Sequence, residues 1–223
     1  MMQARLIVLE GIDGSGKSTQ FQLLWQSLER EGRSLRRIVF PRYDQESSAL
    51  VRLYLGGAFG TRPGDVNAYA ASTFYAVDRY AAFKSDWGAD YRAGKLILSD
   101  RYTTSNACHQ GAKLTGQARR DYLDWLYDFE FRLLELPRPD LVLYLDVSLE
   151  AALRQIAGRQ ARTGERGDIH ETDRDYLAAC LEAGRFAAGH YGWQRIPCLD
   201  PAGRMRPPED IHKDIRGRVA ALL

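Results

Sequence analysis

Residues Gly11-Ile12-Asp13-Gly14-Ser15-Gly16-Lys17-Ser18 fit G-x-x-x-x-G-K-[ST] without a gap, and they constrain the fold more than any other segment. Leu6-Ile7-Val8-Leu9 precede them as an unbroken apolar run, which reads as a buried strand. Beyond them Phe21, Leu23, Leu24, Trp25 and Leu28 recur at helical spacing until Gly32 ends the pattern. Strand, glycine loop and helix in that order are the context in which this motif holds phosphate. The glycines let the main chain wrap closely around an anion, and loop N–H groups with the helix N-terminus form a concave positive site. The motif predicts that Gly11 to Lys17, followed by Ser18 and Thr19, bind ATP. Lys17 would reach the β- and γ-phosphates, the Ser18 hydroxyl would hold Mg²⁺, and the loop is expected to face solvent.

Strand-like and helix-like patterns alternate along the rest of the chain. Arg37-Ile38-Val39-Phe40 reads as a second strand closed by Pro41, Leu96-Ile97-Leu98 as a third, and Leu141-Val142-Leu143-Tyr144-Leu145-Asp146 as a fourth. A last strand is expected near 195–199, and helices are expected over 47–55, 67–92, 117–136 and from about 172 to 191, with another at the C-terminus. Pro137 and Pro139 end the third of these, Ser148 can cap the helix that follows the fourth strand, and Thr172-x-x-Asp175 resembles a capping box. Such alternation implies an α/β chain, a three-layer P-loop NTPase fold with about five parallel strands and helices on both faces. Neither a repeat nor a linker divides it, so residues 1–223 are expected to form a single domain.

Charge and cysteine usage narrow the partners. Lys and Arg total 31 against 29 Asp and Glu, too even a balance to favour nucleic acid or an anionic membrane. No apolar run approaches the ~20 residues of a membrane span, and with a core strand so early no signal peptide is expected. Cys108, Cys180 and Cys198 have no paired spacing, which suits three ordinary thiols in a reducing cytoplasm. The histidines at 109, 170, 190 and 212 are scattered and suggest no metal centre.

A second informative element is Asp100-Arg101-Tyr102-Thr103-Thr104-Ser105-Asn106, directly after the third strand. The carboxyl ends of parallel strands are where open α/β sheets place ligand chemistry. There Asp100 can serve the Mg²⁺ shell and Arg101 can clamp a second phosphate.

With these residues in hand, the chain resembles the thymidylate kinases over nearly its whole length. The resemblance rests on an ordered set: the acidic Asp13 inside the phosphate loop; Phe40-Pro41-Arg42-Tyr43; Tyr75-Ala76-Val77-Asp78-Arg79; Asp100-Arg101-Tyr102 through Ser105-Asn106 to Gln110-Gly111; and Leu143-Tyr144-Leu145-Asp146 followed by an arginine-bearing helix and an Arg/Gly-rich stretch. It implies an ATP:dTMP phosphotransferase making dTDP with Mg²⁺, a nucleotide-binding enzyme that forms a homodimer through helix packing. Tyr75 would stack on thymine, a contact worth ~1–3 kcal/mol per base in related settings. Arg79 would donate to a thymine carbonyl, and Asn106 would read the base edge. Arg42, one position earlier than in some relatives, and Arg101 would clamp the 5′-phosphate, while Asp13 would accept from the sugar 3′-hydroxyl. Phe40, Ser105 and Gln110 complete the expected dTMP site.

The segment 159–171, Arg159-Gln-Ala-Arg162-Thr-Gly-Glu-Arg166-Gly-Asp168-Ile-His-Glu171, matches the family's lid. Some relatives carry an arginine where this chain has Gly14, so the charge developing between the phosphates must be met elsewhere. Arg162 and Arg166 are the expected catalytic arginines beside Lys17 and Arg101. Arg159 is assigned to the ATP side, and Asp168 and Glu171 to the acceptor side. No general base is expected, because the acceptor phosphate oxygen is already a nucleophile. Two alternatives stay open: a kinase of another nucleoside monophosphate or of a deoxynucleoside, and a non-catalytic nucleotide-binding regulator.

Overall fold

The computed structural model describes residues 5–163 and 173–223. Five strands, β1 (Arg5–Glu10), β2 (Leu35–Val39), β3 (Leu96–Asp100), β4 (Leu141–Asp146) and β5 (Gln194–Pro197), form one parallel sheet in the order β2-β3-β1-β4-β5. β1 lies at the centre because its Leu6, Ile7, Val8 and Leu9 are all apolar and can be satisfied only where both faces are covered. Its residues divide with a period of two. Leu6 and Val8 join Ile97, Tyr144, Trp87, Tyr102 and Tyr122 in one core layer. Ile7 and Leu9 join Leu98, Leu145, Phe21, Leu24 and Ile215 in the other.

The helices are α1 (Lys17–Arg30), α2 (Ala49–Leu55), α3 (Ala68–Ala82), α4 (Gly88–Arg92), α5 (Thr103–His109), α6 (Gly116–Tyr127), α7 (Leu149–Thr163), α8 (Arg174–Tyr191) and α9 (Pro208–Ala220). The long helix expected over 67–92 is helical throughout but passes through a π-turn, Phe83–Trp87, between α3 and α4. The wider turn folds Phe83 and Trp87 into the core together, and only glycine fits behind it: a Cβ on Gly88 would lie 2.2 Å from the Phe83 carbonyl oxygen. A second π-turn, Asp128–Leu133, follows α6.

α5 is absent from the sequence reading. Thr-Thr-Ser-Asn-Ala-Cys-His is a poor helix sequence by propensity, yet six of its seven residues are buried and the Thr104 and Ser105 hydroxyls are anchored to Glu10. Tertiary contacts override the local preference. Two caps can be compared with expectation. Ser148 accepts from the Ala151 N–H at 3.2 Å, as expected, whereas α8 is capped by Asp173, whose carboxylate accepts from the Tyr176 N–H at 2.9 Å. Thr172 lies outside the described residues. α7 runs through Thr163, so residues 159–163, expected within the lid, are helical. Among the described residues, no helix is long and apolar enough to cross a membrane.

α8 lies so close to the sheet that a Cβ on Gly184 would meet the Tyr144 hydroxyl at 2.5 Å and its ring at 2.8 Å. Tyr144 is wholly buried and cannot step aside. Gly184→Ala is therefore expected to destabilise the fold by about 1–3 kcal/mol through overpacking. Urea unfolding with an unchanged midpoint would count against this packing.

Candidate active site

The phosphate loop joins the end of β1 to α1. Gly11, Gly14 and Gly16 have φ values of +152°, +78° and +89°, which side-chain-bearing residues rarely adopt. At Gly14 a Cβ would also lie 2.3 Å from the Ala152 carbonyl oxygen of α7. α7 therefore backs the loop, and the expectation of a solvent-facing site is corrected at its lysine: the Lys17 side chain is only 8% exposed. Its ammonium donates to the Gly11 and Ile12 carbonyls at 2.6 and 3.0 Å and lies 4.0 Å from Asp13. Burial lowers the Lys17 pKa and the nearby Arg101 charge adds to this, while Asp13, Glu10 and Asp100 oppose it. Ser18 and Thr19 are exposed on the first turn of α1, and the Ser15 hydroxyl is buried without a partner.

The second strand end brings the acidic and basic groups together. Asp100 closes β3, and Arg101 follows with φ +66°, a left-handed backbone for a bulky residue. That turn sends its guanidinium back to the phosphate loop, where it donates to Asp13 and, at 3.0 Å, to His109 Nε2. Burial alone would lower the Arg101 pKa, but the carboxylates of Asp13, Glu10 and Asp100 outweigh it and the net shift is upward. Because a guanidinium only donates, His109 Nε2 is an acceptor and the ring is neutral on that nitrogen. Behind this pair sits Glu10, wholly buried. It accepts from the Gly11 N–H at 2.9 Å and from the Thr104 and Ser105 hydroxyls at 2.7 Å each. One carboxylate thus ties the phosphate loop to the start of α5.

Beside these groups opens a cleft of about 120 Å³. Asp13 and Arg101 lie at one end, and Phe40, Tyr75, Arg79, Ser105, Asn106 and Gln110 line it, so the structure brings these sequence-predicted residues into one wall. The Tyr75 ring meets Tyr54 edge-on, with centroids 6.5 Å apart. The Gln110 Oε1 is buried and has no partner, an acceptor left over for something in the cleft. Arg79 pairs with Glu130 through Nε at 2.7 Å and a second nitrogen at 2.5 Å.

Arg42 is held by α3 and by Ser47. Asp78 of α3 takes its backbone N–H at 2.9 Å and its Nε at 3.2 Å, and Ser47 takes a terminal nitrogen at 3.1 Å. Its neighbour Tyr43 lines the cleft. Tyr43, His109, Glu10 and Glu130 were all missed by sequence reasoning. Glu10, an acid ending an apolar strand, was the one with a legible signal.

On α7, Arg162 donates back to the Gly158 carbonyl of its own helix at 3.1 Å and is exposed, and Arg159 is half-buried nearby. Arg166, Asp168 and Glu171 lie outside the described residues. For a metal, the donor set fits Mg²⁺, which prefers oxygen ligands and shares its shell with phosphates. Ser18 and Asp100 would supply hard oxygens, and among the described residues no group of three or more His, Cys, Asp or Glu is placed to hold a metal ion by itself.

The family profile described as thymidylate kinase matches residues 9–186. A thymidylate kinase of Mycobacterium tuberculosis is 36% identical over 170 residues, covering 75% of this chain and 78% of that protein. A probable thymidylate kinase of Thermococcus onnurineus is 30% identical over 211 residues, 94% of each chain. A thymidylate kinase of Synechococcus sp. is 32% identical, covering 96% of this chain and 94% of its own. The matched span runs from the last residues of β1 into α8 and so contains every strand end and loop that builds the cleft, which makes this chain a member of the thymidylate kinase family.

Proposed function

We propose a division of labour in this cleft for the family's reaction, the ATP-dependent phosphorylation of dTMP to dTDP. The observation that carries it is the continuity of the phosphate loop with the cleft through the Arg101–Asp13 pair. A donor site and an acceptor site joined in this way suit direct phosphoryl transfer. Gly11 to Thr19 cradle the ATP phosphates, and Lys17 exchanges its two loop carbonyls for phosphate oxygens. Mg²⁺, held by Ser18 and Asp100, would neutralise charge on those oxygens. Arg101 clamps the acceptor phosphate together with Arg42, and Tyr43 lies in the cleft lining. Asp13 accepts from the sugar, Tyr75 and Phe40 flank the base, and Arg79, Asn106, Ser105 and Gln110 bind its edge and the sugar. The transition state is met by positioning and charge, with no general base.

The coupled test is ADP release across dTMP, other nucleoside monophosphates and thymidine. A clear preference for dTMP is expected, and a preference for thymidine or another monophosphate would overturn the acceptor assignment. A regulator would release no ADP with any of them.

The remaining charge on the transferring phosphoryl group falls to Arg159, Arg162 and Arg166, with Asp168 and Glu171 on the acceptor side. Arg162→Ala or Arg166→Ala is expected to lower kcat by about 10²-fold or more with dTMP affinity nearly intact, since arginine fingers act mainly in the transition state. Single-turnover rates that barely move when all three are replaced would assign that charge elsewhere.

Residues 1–223 act here as a single cytoplasmic kinase domain, a reading supported by three buried, unbridged cysteines. The homodimer belongs to the same proposal. Leu50 and Leu53 of α2 and Val77 and Tyr80 of α3 are exposed large apolar residues on packed neighbouring helices. Light scattering should give twice the chain mass of 25.3 kDa, and a monomer at micromolar concentration would refute it.

A further inference from the structure

We propose that Glu130, a residue outside the cleft wall, sets the hydrogen-bond polarity with which the cleft reads a base. Glu130 sits on the π-turn after α6 and is wholly buried. It accepts from Arg79 Nε at 2.7 Å, from a second Arg79 nitrogen at 2.5 Å and from the Thr103 hydroxyl at 2.7 Å, and it lies 3.5 Å from Asn106 Nδ2. π-turns recur at functional sites because the extra residue redirects a side chain.

Two consequences follow from a carboxylate being acceptor-only. The first concerns Arg79. With Nε and one terminal nitrogen held, the other terminal nitrogen has only a 3.4 Å contact to the Tyr102 carbonyl and remains available to the cleft as a donor. The second concerns Asn106. Its amide can face Glu130 only with the NH₂ group, because a flipped amide would set oxygen against carboxylate oxygen. The Ser72 carbonyl, 3.3 Å from the same nitrogen, enforces the same choice. Oδ1 is then the group turned away from both.

At Arg79 and Asn106 the cleft therefore offers a donor and an acceptor in fixed order. A thymine or uracil edge presents an O4 acceptor and an N3–H donor, which this pair complements. Cytosine presents an N4 donor and an unprotonated N3, which clash with it at both positions. Glu130 touches no substrate in this account. It is a positioning residue that acts through Arg79 and Asn106.

The inference rests on the dTMP-kinase reading, and the experiment separates the two. Glu130→Gln keeps the shape but can donate as well as accept, so it loosens the two-point hold on Arg79 and leaves the Ser72 carbonyl alone to orient the Asn106 amide. The expected result is a KM for dTMP raised about tenfold or more, a KM for ATP within about twofold of the parent, and a dTMP-over-dCMP preference in kcat/KM reduced at least about tenfold, because sites built on such bonds discriminate strongly. Should that variant fail to fold, Thr103→Val removes one donor from the carboxylate, and a smaller loss of the same preference is expected. A preference equal to the parent's in the folded variant, whatever the change in melting temperature, would make Glu130 merely structural and overturn the inference. A parent enzyme that does not prefer dTMP would overturn the underlying reading as well.

Discussion

Lys17→Ala is expected to reduce kcat by about 10²–10³-fold or more, the scale seen when one preorganised charge donor is removed from a transition state. Lys17 is the cation held inside the phosphate loop, bonded to the Gly11 and Ile12 carbonyls and 4.0 Å from Asp13. Those carbonyls are weaker acceptors than phosphate oxygens, so the ammonium is poised to exchange them for a ligand. Stability should fall as well, by about 1–3 kcal/mol, because truncation leaves two carbonyls short of a donor in a nearly closed pocket. Initial rates and calorimetric melting together check this. Turnover within tenfold of the parent would dismiss the phosphate-loop assignment.

Arg101→Ala should act on the other substrate. A charge-assisted phosphate contact is worth ~1.5–3 kcal/mol, and Arg101 also neutralises Asp13 within a cluster that includes Glu10 and Asp100. The expected outcome is a loss in kcat/KM for dTMP of about 10²-fold or more, larger than the direct contact alone because Asp13 is left without its guanidinium. Affinity for ATP should fall at least about tenfold less than affinity for dTMP, since the loop and Lys17 remain. Calorimetric titrations with each ligand measure the two losses separately, and equal losses would remove Arg101 from the acceptor site.

Much of the fold was legible because its signals are local. β4 covers the six residues expected of it, Leu141–Asp146, and Gly32, Gly56 and Gly94 end helical segments as the breaker residues suggest. α5 was not legible, because its helix depends on Glu10, some 94 residues away in sequence from Thr104. The same reason hid the partner of Arg42. Motif spacing brings that residue near a phosphate, but Asp78, on a different helix, claims its guanidinium. The residues that face the cleft were largely readable, since motif and strand end together point at it. The residues that aim them, Glu10, Asp78 and Glu130, are distant carboxylates whose partners only the tertiary structure supplies.

β1 and β3 are hydrogen-bonded neighbours, with Leu9 the register partner of Asp100, and the ladder continues past the strands through the Arg101 N–H to the Leu9 carbonyl at 3.3 Å. The phosphate loop and the Asp100–Arg101 turn are therefore two ends of one rigid backbone plate. Thermal motion cannot change the distance between them without breaking central sheet bonds, which are among the last in a domain to open. Whatever movement encloses the substrates must then belong to parts mounted on that plate from outside, such as α2, whose Leu55 stands in the cleft wall. Amide exchange should accordingly divide the site into slow residues at Leu9 and Asp100 and faster ones along α2. The chemistry is then expected to stay still while its walls move.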